Sequence, residues 1–197
     1  STSVQTKDAN GKAIDSTSMM AVPAVVGGVL SQHSSAKALE WRMATLTPGA
    51  TSTATIKMHV SGEVPVGGSI TVTLPSRDVY GVQSSYVFNS NGSSAVAFSA
   101  PSGVLAAVSS VVNQTVTFVL AGSKAIAQGT DVVFTVTHVR SPSGAVLAST
   151  STSVQTKDAN GKAIDSTSMM AVPAVVGGVL SQHSSAKALE WRMATLT

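Results

Sequence analysis

Residues 1–47, STSVQTKDANGKAIDSTSMMAVPAVVGGVLSQHSSAKALEWRMATLT, return letter for letter as residues 151–197. The 197-residue chain is therefore one 150-residue period followed by the opening 47 residues of the next. Two copies without a single substitution are the mark of a tandem array of identical units, which are used by stacking or stringing. The period predicts three parts. Residues 1–20 close a preceding repeat, 21–171 make one full repeat, and 172–197 open the following one.

Within the period the chain reads almost entirely as strands. In ATIKMHV, residues 54–60, Ala54, Ile56, Met58 and Val60 alternate with Thr55, Lys57 and His59. SITVTL (69–74), AVAFS (95–99), QTVTFVL (114–120) and DVVFTVTHV (131–139) behave alike, as do residues 38–47, 86–88 and 145–156. Period-two alternation rich in Val, Ile, Thr and Phe marks half-buried antiparallel strands. Pro48-Gly49, Gly67-Gly68, Asn91-Gly92, Gly129, Pro142 and Asn160-Gly161 punctuate them as turns, and Asn160-Gly161 suits a type I′ hairpin. Helix is nearly absent from this pattern; Ser34–Arg42 is the one place for a helical turn. Seven to nine short strands per period predict an all-β fold, an Ig-like antiparallel β-sandwich in a tandem array. Trp41, Ile56, Met58, Val72, Phe98, Phe118, Phe134 and Val136 are its expected interior.

Composition narrows the functions. Charged residues are only 11% of the chain and hydrophobic ones 43%, so the wet faces must be built of Ser, Thr, Asn and Gln. One period, residues 48–197, has eight Lys/Arg against six Asp/Glu, a net of +2. The charges are scattered, which argues against nucleic acid as a partner. There is no cysteine, hence no disulfide or zinc-thiolate site. The longest nearly apolar run, MMAVPAVVGGVL, is 12 residues and holds Pro23 and Gly27-Gly28. A span needs about 20 apolar residues, so no membrane crossing is expected in this window.

That same run, residues 14–31 repeated as 164–181, is the module boundary. Flexible linkers are polar and Gly/Ser-rich, whereas this one is rich in Met and Val. It reads either as an edge strand of its own module or as a surface packed on the next repeat. The expected contact residues are Met19, Met20, Val22, Val25, Val26, Val29 and Leu30, with Met169, Met170, Val175, Val176 and Leu180 in the second copy. A repeated apolar patch left in water would aggregate.

The stretch Gly68–Pro75 has the form G-x-I-T-V-T-L-P. Gly129–Pro142 follows G-T-x-V-x-F-T-V-T-x-V-x-x-P, and Thr156–Asp165 follows T-x-D-x-x-G-x-x-I-D. In that order the chain resembles the Ig-like and fibronectin-III-like tandem repeat domains of secreted or surface fibre proteins, of the algal, protist or bacterial adhesin type. The resemblance implies a sandwich in a secreted or surface-displayed polymer. It implies no catalytic residues.

Sites of chemistry are sparse. Asp158 to Asp165 has an oxygen-rich look, but an EF-hand loop needs an oxygen ligand at position 5 and Glu at position 12. Lys162 and Met169 stand there. His33, His59, His138 and His183 show no ligand spacing, and no G-x-S-x-G elbow or phosphate loop occurs. No catalytic, metal or cofactor site is expected. Asn91-Gly92-Ser93 and Asn113-Gln114-Thr115 are N-glycosylation sequons, which makes glycans a second expected partner beside neighbouring repeats. Thr-x-Thr pairs recur at 53/55, 71/73, 115/117 and 135/137, and one Trp falls in each period.

The leading expectation is a non-enzymatic structural repeat of an extracellular filament, flagellar hair or cell-surface fibre. The alternative is an adhesin-type module binding carbohydrate, ice or another cell through a Thr-lined face.

Overall fold

The computed structural model describes residues 2–7, 9–11, 13–20, 28–30, 39–76, 85–90 and 92–176. Among these the fold is all-β, without helix. The strands are β1 (Thr2–Lys7), β2 (Ala13–Met20), β3 (Gly28–Val29), β4 (Glu40–Met43), β5 (Thr51–Val60), β6 (Ser69–Thr73), β7 (Val96–Ala100), β8 (Leu105–Val112), β9 (Thr115–Ala121), β10 (Thr130–Arg140), β11 (Ser149–Lys157) and β12 (Ala163–Val172).

Ten strands form one continuous sheet in the order β7-β10-β5-β4-β12-β11-β6-β9-β8, with β3 paired to β12. The path's two ends meet at an isolated bridge between Ala95 and Ala107, which makes the sheet barrel-like. The remaining two strands, β1 and β2, pair with each other. Nearly every contact in the body is antiparallel, but β12 runs parallel to β3 and β4, at Asp165↔Gly28 and Ala171↔Glu40. The first and last strands of the body therefore point the same way.

Alternation builds the interior. On β5, Ala54, Ile56, Met58 and Val60 are buried, while the intervening residues are half-buried. Trp41, Ile56, Met58, Val72, Phe118, Phe134 and Val136 are all buried as expected. Each large side chain removed from water contributes about 1.5–3 kcal/mol. Phe98 departs from the expectation. It lies on the short strand β7 and is only partly buried, stacked on Phe134 with centroids 4.9 Å apart.

Other departures have local causes. Strand β8 was not expected, because LAAVSSVV does not alternate. Leu105, Val111 and Val112 are exposed, and a bulge between Val108 and Ser110 breaks its pairing with β9. Asn113 and Gln114 have φ of 47° and 69°, so Gln114 belongs to a two-residue turn, not to the strand that follows. At the last hairpin the type I′ reading fails: Gly161 has φ 80°, but Asn160 is not left-handed. Asp158 instead closes the loop, its carboxylate accepting from the N–H groups of Asn160 and Lys162 at 2.9 and 2.8 Å. Of the possible helical turn at Ser34–Arg42, residues 34–38 lie outside the described residues and Glu40–Arg42 is strand.

The sequence repeat has a structural counterpart. Pairs Thr2↔Met20, Val4↔Thr17, Gln5↔Ser16, Thr6↔Asp15 and Lys7↔Ala13 join β1 to β2. The same pairs, each 150 residues later, join β11 to β12. Hairpin β11–β12 is flanked by β6 on one side and by β3 and β4 on the other.

Candidate interaction sites

The parallel first and last strands give the body a proximal end, where β3 comes in, and a distal end, where β12 leaves. At the proximal end Asp165 is buried, at 1% exposure. A buried carboxylate is costly unless its lone pairs are used. Here the Ser61 hydroxyl donates to Oδ1 at 2.6 Å, and the Ser61 and Gly62 N–H groups donate to Oδ2 at 3.1 Å each. The Asp165 N–H donates in turn to Thr156 Oγ1 at 3.0 Å. Gly28 packs so closely that a Cβ there would overlap both the carboxylate and the Ser61 hydroxyl. This latch ties the turn after β5, the start of β12 and the incoming strand β3 into one unit. The sequence alone hid it, because Ser61 and Asp165 are 104 residues apart.

At the distal end the N–H of Val176 donates to the carbonyl of Leu46 at 3.0 Å. Val146 and Val175 exchange two backbone hydrogen bonds at 2.9 Å and are buried. Their neighbours Leu147 and Val176 point the opposite way and are 68% and 61% exposed. Diagonal neighbours of this kind lie about 7–8 Å apart on one face.

The expected contact residues divide accordingly. Leu30, Met170 and Val175 are buried in the body's own core, while Met169 (75% exposed) and Val176 face outward. Met19, Met20 and Val29 lie on strands β2 and β3. Val22, Val25, Val26 and Leu180 lie outside the described residues.

The remaining candidates have local partners. His59 faces Asp131 across the β5–β10 pair, with Nδ1 and Oδ1 2.8 Å apart. His138 sits at the bulge of β10 with φ 54°, its ring against Gly92. Asn113 is exposed at a hairpin tip, and the companion sequon residue Asn91 lies outside the described residues. Gln114 beside it is buried and accepts from the Tyr86 N–H at 2.8 Å. Tyr86 and Phe88 meet Trp41 edge-on at 6.0 Å. Burial pushes the Tyr86 phenol up to about 12. The Thr pairs form rows: Thr71 lies opposite Thr117, and Thr73 opposite Thr115 with hydroxyls 3.0 Å apart. Trp41 is core, with no face open for stacking, and Trp191 lies outside the described residues.

Among the described residues no group of three His, Cys, Asp or Glu side chains is placed to hold a metal ion, and no helix is long and apolar enough to cross a membrane. Compared with protein-family models, with curated proteins and with solved structures, the chain matches none.

Proposed function

We propose that this chain is a structural repeat of an extracellular filament or cell-surface fibre, in which copies of one module follow each other end to end. The observation that carries this reading is the parallel pairing of β12 with β3 and β4. A module whose first and last strands run the same way receives the chain at one end and releases it at the other. Strung in tandem, such modules extend; antiparallel first and last strands would return the chain to its starting end. The exact 150-residue duplication and the hairpin β1–β2, paired as β11–β12 is, support the tandem arrangement. In this reading β1–β2 closes a preceding repeat, and the unit runs from about Gly28 to Val176.

The finer fold is an Ig-like sandwich. Its faces would be β7-β10-β5-β4 and β12-β11-β6-β9-β8, joined by single bridges at Ala171–Glu40 and Ala95–Ala107. Its partners are neighbouring copies, with glycan on exposed Asn113 as a further possibility to test by mass. The Thr rows on β6 and β9 favour a second reading, a module binding carbohydrate or ice through a flat polar face. The first reading is preferred because Thr73 and Thr115 already satisfy each other, and no exposed aromatic ring flanks them among the described residues.

Small-angle scattering from chains with increasing numbers of periods tests the proposal. The maximum dimension should grow by a constant increment of about 35–40 Å per period, the length of a ten-residue strand plus its turns. Growth only as fast as a compacting globule would overturn it.

A further inference from the structure

We infer that successive repeats abut directly, through an apolar joint that has no flexible linker. The inference rests on the tandem reading above and specifies its contact.

Its basis is the position of two residues. Val176 is still part of one body, hydrogen-bonded to Leu46 at the distal end. Gly28 is already part of a body, seated against Asp165 and Ser61 at the proximal end. The period maps Gly28 onto Gly178. If Gly178 is seated in the following repeat as Gly28 is seated in this one, only Gly177 lies between the two bodies. Two residue steps span at most about 7 Å, less than the width of one strand pair with its side chains. The distal end of one repeat and the proximal end of the next are then forced into contact.

The surfaces fit such a contact. Leu147 and Val176 are the exposed large apolar residues beside the point where the chain leaves, with partly buried Leu46 next to them. The opposing surface beside the Gly28 seat is the Ser61–Gly62 turn with Ala163 and Ile164, and Gly62 lies so close to Ile164 that no side chain fits there. These residues are uncharged, and the exposed Glu63 and Lys162 stand directly beside them. The occupant of the Leu147–Val176 patch is therefore the proximal end of a second copy of the repeat. Burial there would stiffen the array, as a Gly/Ser linker would not.

The absence of cysteine allows a direct test. The full chain is lengthened by one period, and Ala127, exposed on the β9–β10 loop, is replaced by cysteine in both bodies for spin labelling. Pulsed dipolar spectroscopy should give one narrow distance. Leu147→Asp, or a Gly-Ser insertion between Val176 and Gly177, should replace it by a broad distribution while circular dichroism stays that of folded strands. A distribution already broad in the parent, and unchanged by Leu147→Asp, overturns the joint but leaves two bodies strung in tandem. A second body that fails to fold overturns the tandem reading and the joint with it.

Discussion

Gly28 and Asp165 are partners in the parallel pair of β3 and β12, so close that the glycine hydrogen is the only substituent the carboxylate leaves room for. The crowding is stiff on one side, because Asp165 is held by three hydrogen bonds from Ser61 and Gly62. Gly28→Ala must then push β3 away or break the latch. Overpacking of this kind costs about 1–3 kcal/mol, to be read from the urea midpoint of the full chain. An unchanged midpoint would show that β3 is not seated as described.

The duplication supplies an internal control. Asp15 and Asp165 occupy the same register in identical hairpins, but Ser61 and Gly62 serve Asp165. Asp165→Ala leaves three part-buried donors without their acceptor and should lower stability by about 1–3 kcal/mol in total. Asp15→Ala should lower it by less, because the Ser61 and Gly62 donors are engaged by Asp165. Equal effects of the two substitutions would contradict the latch.

Much of this architecture was legible in the sequence and some was not, for reasons specific to the residues. Strands β5, β6, β9 and β10 carry clean alternation because one face is buried and the other wet, and their core residues follow directly. Strand β8 closes the sheet with a bulge and an exposed Leu105, so its pattern is broken. The latch was invisible because it depends on the fold bringing Ser61 to Asp165. The oxygen-rich Asp158 loop was legible as a turn but not as the right type. Its Asp side chain, by accepting two backbone N–H groups, replaces the left-handed pair that Asn-Gly usually supplies.

In the core, Phe118 is fully buried and meets Phe134 edge-on at 5.1 Å. Phe118→Ala should cost about 3–5 kcal/mol, measured by thermal or urea unfolding. A cost below about 1 kcal/mol would show that this ring does not lie in a packed interior.

Tyr86 predicts an alkaline limit. Burial raises its phenol to about 12 from an ordinary value of 10, so folding favours the neutral form. That contribution is complete below pH 10 and fades as pH rises through about 12. With each pH unit worth about 1.4 kcal/mol, stability should fall by about 2–3 kcal/mol between those limits. Tyr86→Phe should remove that part of the slope. A slope identical in the variant would place the alkaline loss elsewhere.

The central claim is an end-to-end polymer of one repeated module, and an electron micrograph of the native material tests it most directly. Filaments with a single axial step of about 35–40 Å, one body per step, are the predicted result. Isolated compact particles of one body, or fibres whose step bears no relation to the length of a module, would contradict it.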